Sequence, residues 1–195
     1  MTIGTLLPDV LAECGIDRAS PQITDGTFEM RQIRSLMDTA GKDINRRAEW
    51  SKATASFDIT NASSITLPAD FQEMSDEGAV VLDSAYYSPA RPVVSPELWQ
   101  FLEKFPSEQI YYHLKGGSLF FSSPVTATVR YVSTFWIIGR AAISDNADVP
   151  VFPDSLLARA TIWRWKRQKG LPYDDILAEF EADLEAAIKA DRGVA

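Results

Sequence analysis

The chain has 195 residues, 46% of them hydrophobic and 24% charged, and its 27 acidic against 19 basic side chains leave a net charge of -8. Such a composition folds as a globular protein of one or two domains and excludes intrinsic disorder and collagen-like repetition. The acidic balance disfavours a general binder of nucleic acid or anionic membrane, because the long-range field repels phosphate groups.

With one cysteine, Cys14, and one histidine, His113, the available chemistry is narrow. An intramolecular disulfide and a four-thiolate zinc site are both ruled out. A serine or cysteine nucleophile needs an imidazole base held by a carboxylate, so His113 would have to serve alone. It sits in Ile110-Tyr111-Tyr112-His113-Leu114, which reads as a strand beside the turn at Gly116-Gly117. The sequence Asp145-Asn146-Ala147-Asp148 lacks the central glycine and closing glutamate of a calcium loop, and reads as a loop or cap. Lys115-Gly116-Gly117 and Gly41-Lys42 lack the spacing of a phosphate loop. No catalytic residue, cofactor or metal ligand is therefore assigned. Asp9 and Glu13 fall where a signal peptide would be apolar, and no apolar run approaches the roughly 18 residues of a membrane span. The expectation is a cytosolic, soluble product without a membrane partner.

In chain order, Ile3, Leu6, Leu7, Val10, Leu11 and Cys14 recur at helical spacing, with Gly15 as a stop. A longer helix is predicted by Met30, Ile33, Met37, Ala40, Ile44 and Ala48, capped by Thr27 or Asp25, with Gly41 a point of bending or breakage. From Ser51 the period changes to two. Phe57 and Ile59, then Ile65 and Leu67, read as two strands separated by the turn-like Asn61-Ala62-Ser63-Ser64. The Asn61-Ala62-Ser63 glycosylation pattern reads as that same turn. Further strands are predicted at Ala79 to Asp83, Gln109 to Leu114, Ser118 to Ser122 and Ala127 to Ser133, edged by prolines 68, 89, 92, 106 and 124. Between them Ser95-Pro96 opens a short helix through Lys104 that plugs one end of the sheet. Two more helices close the chain, one from Pro153 to Gly170 and one from Tyr173 to Arg192. This order predicts an α+β fold in which residues 1–50 and 145–195 form a helical bundle and residues 51–144 an inserted antiparallel β domain.

The penultimate helix is apolar on two sides, with Leu156, Ala160 and Trp163 on one and Ala158, Ile162 and Trp165 nearly opposite. Such a helix needs cover on both sides, from its own chain or from a neighbouring subunit. Ile162 and Trp165 are the interface candidates on that ground. A second candidate is the loop from Ser133 to Asp148, where Phe135 and Trp136 begin an apolar run that reads as an edge strand continuing from Tyr131. Arg159, Arg164, Lys166, Arg167 and Lys169 give the same helix a basic surface, expected to pair with the acidic last helix or an acidic partner.

Several stretches together resemble the head-to-tail adaptor proteins of tailed bacteriophages, including the tail tubular protein A type. They are Arg46 to Trp50; Ile65-Thr66-Leu67-Pro68-Ala69-Asp70-Phe71; Tyr111 to Pro124; Val129-Arg130-Tyr131; and Asp148 to Leu157, followed by Gly170 and a glutamate-rich last helix. The resemblance implies a structural virion subunit at the neck, made in the host cytoplasm and catalysing no reaction. It implies a homo-oligomeric ring of twelve copies that binds the portal protein, receives a tail or nozzle protein, and lets DNA pass without specific binding. Rival readings are another neck component, for head completion or tail termination, or a carbohydrate-binding module with Tyr86, Tyr87, Tyr111 and Tyr112 along a groove. An enzyme using carboxylates alone also stays open, because such pairs come from residues distant in sequence. Gly41 and Gly139 are candidate hinges if the helices rearrange on docking.

Overall fold

The structure is a computed structural model that describes residues 1–75, 78–83, 89–105 and 107–193. In chain order, α1 (Ile3–Glu13) and α2 (Phe28–Arg46) precede the strands β1 (Thr54–Thr66), β2 (Phe71–Met74), β3 (Val80–Leu82) and β4 (Arg91–Pro92). Then come α3 (Pro96–Lys104), β5 (Tyr111–Lys115), β6 (Ser118–Ser133), α4 (Asp154–Gln168) and α5 (Asp174–Asp191). The described residues thus form an α+β fold of terminal helices with a sheet inserted between them. By compactness the chain divides into two units, Met1–Ala53 with Thr134–Ala195, and Thr54–Ser133.

In the first unit, α1 buries the apolar set that its spacing predicts: Ile3, Leu6, Leu7, Val10 and Leu11. Thr2 and Thr5 form a reciprocal cap at its start, and the amides of Ile3 and Gly4 donate to the carbonyls of Asp148 and Asn146 at 2.8 and 2.7 Å. Gly15, in the left-handed region at φ 69°, follows its end. In α2 the buried stripe is Met30, Ile33, Met37, Ala40 and Ile44. Thr27 is its cap by position, but the Thr27 hydroxyl accepts from Arg18 at 2.8 Å instead of from a helix amide. The helix runs unbroken through Gly41, which does not end it.

Helix α4 packs against α1, α2 and α5, and so is covered on both of its apolar sides. It ends as its glycine predicts: Gly170 has φ 70°, and the amide of Leu171 donates to the Lys166 carbonyl at 2.9 Å. Residues 134–144, read from the sequence as the end of the β portion, belong to this helical unit. The chain leaves the sheet at Ser133, and Phe135 to Ile138 is not an edge strand. Only isolated bridges join Ile137 to Arg140 and Pro150, while Trp136, Ile137 and Ile143 enter the helical core. An edge strand would expose alternate apolar side chains of this run, whereas the irregular path buries the largest one completely.

The second unit is organised by the sixteen-residue strand β6. Along one edge it pairs antiparallel with β1, and along the other with β5, β3 and β2. Leu119, Phe121, Val125, Ala127, Val129 and Tyr131 alternate inward along it and are buried. Facing them on β1, Phe57 is paired with Val129, Ile59 with Ala127 and Ile65 with Leu119. The sheet is mixed, because the two-residue β4 runs parallel to β5.

Two features separate this sheet from the expected strands. The stretch Asn61 to Ser64 is a break in the register within the single strand β1, and Asn61 takes φ 44° there, which asparagine tolerates better than most residues. Opposite it, the predicted strands on either side of Pro124 are one strand: between Ala62 and Ser64 the pairing moves from Val125 to Phe120. Proline, which has no amide hydrogen to give, lies in that unpaired stretch. The turn at Gly116 and Gly117 is as predicted, with both residues at positive φ of 58° and 77°, as a two-residue hairpin of that type requires.

Candidate interaction surfaces

The residues singled out on α4 lie inside the helical unit. Ile162 and Trp165 are 8% and 5% exposed, and Lys169 Nζ covers the Trp165 ring at 4.3 Å from its centre. Of the two ways to cover the second side of α4, the structure uses the helices of its own chain. Trp136 is fully buried, stacked on Phe152 with ring centres 6.2 Å apart, and Phe135 is half-buried. None of these aromatic groups forms an open patch.

Two cations of the basic surface of α4 meet acids of the same unit. Arg159 lies between Glu179 and Asp183 of α5 at 3.1 and 3.0 Å. Arg164 donates to Asp43 of α2 at 2.8 Å and to the Ala160 carbonyl at 2.9 Å, and its guanidinium lies over the Trp163 ring at 4.2 Å. Burial holds the Arg164 guanidinium below its ordinary pKa, an effect that the Asp43 carboxylate opposes. Arg47 makes two 2.8 Å hydrogen bonds to Glu181, which raise its pKa. Arg159 and Arg164 of this basic surface thus hold α4 to α5 and α2.

The Asp145–Asp148 loop has a similar internal role. The Asp148 carboxylate accepts from the amides of Ser144 and Asp145 at 2.7 and 2.9 Å and pairs with Arg140 at 3.2 Å. Asn146 accepts from the Ile23 amide at 2.8 Å and donates to the Pro21 carbonyl at 3.2 Å. Among the described residues, no group of three His, Cys, Asp or Glu side chains is placed to hold a metal ion. Burial pushes the Cys14 thiol up to about 12, so little of it is the nucleophilic thiolate. Among the described residues, no helix is long and apolar enough to cross a membrane.

In the β unit, an open hollow of about 460 Å³ is lined by Trp99, Glu103, His113, Lys115 and Phe120, among others. Trp99, Glu103 and His113 are occupied within the chain. The Trp99 indole N–H donates to Glu103 at 2.8 Å, the Trp99 ring stacks on His113, and His113 Nδ1 lies 2.8 Å from the Val93 carbonyl oxygen. Of the tyrosines considered for a sugar groove, Tyr112 is buried and Tyr111 packs on the α3 cluster; Tyr86 and Tyr87 lie outside the described residues.

The surface that the sequence reading passed over is on α3. Ser95 caps this helix through the Leu98 amide at 3.3 Å, and Pro96 occupies its first turn. Trp99 and Leu102 pack on Val93, Tyr111 and Phe120. Leu98, Phe101 and Phe105 are nevertheless exposed. Their spacing of three and four residues was the available signal, but it merges with the buried pair into a single apolar helix when read without the fold.

The family model described as SU10 adaptor protein matches residues 1–194 of the chain. No curated protein matches it.

Proposed function

The chain belongs to the SU10 adaptor protein family, and on that premise we propose that this phage structural protein joins the portal to the tail as one subunit of a closed ring. The observation that carries the reading is the family match, which runs over nearly the whole chain, both chain-end helices and inserted sheet included. In this reading the ring has twelve copies, and the helical and β units are separate domains of each subunit. It sits at the neck of the virion, binds the portal on one side and a tail or nozzle protein on the other, and is made in the host cytoplasm. The net charge of -8 fits a conduit through which DNA passes without being held, since a wall of cations would bind every phosphate it met.

The internal use of the chemistry-bearing groups supports a structural role. His113 stacks on Trp99, the Cys14 thiol is held protonated, the Asp148 carboxylate caps its own loop, and the Asn146 and Asp148 carbonyls with the Asn146 side chain tie that loop to α1 and to the segment around Ile23. The test is the mass of the purified chain by multi-angle light scattering, alone and mixed with the portal encoded by the same genome, followed by electron microscopy of the complex. A ring of twelve on the portal is the expected result. A chain that does not bind the portal overturns the reading and moves the protein to another neck position.

A further inference from the structure

Helix α3 has two apolar faces, of which its own unit covers one. The open face carries Leu98 and Phe101, 46% and 56% exposed, and is extended by Phe105 at the C-terminal cap, 60% exposed, and Val94 just before the N-terminal cap, 87% exposed. The Phe101 and Phe105 rings touch, with centres 4.9 Å apart, so the stripe is continuous at that end. A row of large exposed apolar groups on a small unit marks an interaction surface. Glu97 and Lys104, seven residues apart and both exposed, flank the same side of it.

The order of these residues selects the occupant. From Val94 to Phe105 the steps are four, three and four, which read the same in either direction. Two copies laid antiparallel about a two-fold axis therefore set Val94 against Phe105 and Leu98 against Phe101, each pair occurring twice. In the same register Glu97 of each copy comes within two residues, about 3 Å along the axis, of Lys104 of the other, giving two opposite-charge pairs at the rim of the contact. A parallel pair would instead press this charged flank onto Leu102, which is already buried in its own unit.

We propose that the open face of α3 is a self-association surface on which a second copy of this chain packs antiparallel. Two nine-residue helices bury less than the roughly 1,000 Å² of a stable interface, so the pairing is weak and reversible. A two-fold contact closes on itself and does not propagate around a ring. The pairing therefore belongs to the unassembled protein, keeps the stripe from water there, and leaves ring closure to other surfaces.

The experiment is sedimentation velocity of the full chain over a wide concentration range. Wild type is expected to show a monomer–dimer equilibrium, and Phe101→Asp to remain monomeric with an unchanged circular dichroism spectrum. Glu97→Lys and Lys104→Glu each turn two attractive rim pairs repulsive and weaken the dimer roughly tenfold, while the double exchange restores it. These two positions are exposed, so the exchange tests the proposal even if Phe101→Asp does not fold. A chain that is monomeric at every concentration, a dimer indifferent to Phe101→Asp, or an exchange that fails to restore pairing overturns it. So does a monomeric wild type whose Phe101→Asp variant loses only portal binding, which assigns the stripe to the portal. A dimer of the expected behaviour that never binds the portal overturns the adaptor reading alone.

Discussion

The indole of Trp136 occupies the space where a side chain on Gly41 would begin. A Cβ built on Gly41 falls 2.6 Å from Cε2 of that ring and closer still to Cδ2 and Cε3, distances that real Cβ atoms do not adopt. Glycine in the middle of α2 is thus required by a close approach between the helix backbone and the loop that follows the sheet. The propensity that glycine costs the helix is offset by the burial of the whole indole, the largest side chain in the chain's repertoire.

Gly41→Ala is therefore expected to destabilise the protein, although alanine is the better helix former by about 1 kcal/mol. Forcing the indole aside costs about 1–3 kcal/mol by overpacking and more if the loop cannot shift. Urea unfolding followed by tryptophan fluorescence checks this, and an unchanged or raised midpoint would contradict the contact. In a Trp136→Leu background the same alanine should cost less, because the obstructing ring is gone.

What the sequence made legible follows from what is local. Helix spacing, the Ser95-Pro96 opening, the paired glycines at 116 and 117 and the stop at Gly170 are each read from a few neighbouring residues, and each stands in the structure. The break expected at Gly41 and the edge strand expected at Phe135 to Ile138 are both absent for a shared reason: each residue type answers to the other across nearly a hundred positions. Asn61 to Ser64 looked like a turn because register breaks and turns favour the same residues. On α3, one helix nine residues long holds both a buried and an open apolar face, and periodicity does not say which face the sheet covers.

Trp165→Ala should act first on stability. The side chain is 5% exposed in the helical core, and removing a buried aromatic of this size costs about 3–5 kcal/mol. The expected result is a large fall in melting temperature, with portal binding kept by whatever fraction remains folded. A variant that melts like wild type yet fails to assemble on the portal would instead identify Trp165 as a contact between chains.

Asn61 is the described non-glycine residue at positive φ, at 44°, where β1 departs from its register with β6. A β-branched side chain is poorly tolerated in that conformation, so Asn61→Val is expected to cost about 1–2 kcal/mol, whereas Asn61→Gly should change stability by only a few tenths. Denaturant midpoints of the two variants measure the difference directly. Equal midpoints would show that the strand re-registers at no cost.

The lone cysteine supplies a pH dependence whose sign is fixed by burial. Desolvation raises the Cys14 thiol to about 12 from its ordinary 9.0, against the pull of Lys166 and with a smaller push from Glu13. Between those two values the folded chain keeps a proton that the unfolded chain has released. The contribution to stability is therefore whole below the ordinary value and is lost as pH rises through the window toward the folded value. Cys14→Ala, which has no thiol to titrate, should lose less stability than wild type over that alkaline range. At about pH 8 the wild-type thiol should react with a disulfide reagent far more slowly than a free cysteine, and at the free rate once guanidinium unfolds the chain. Reaction at the free rate in the folded protein would mean that Cys14 is open to water beside α1, and the alkaline difference between the two proteins should then vanish.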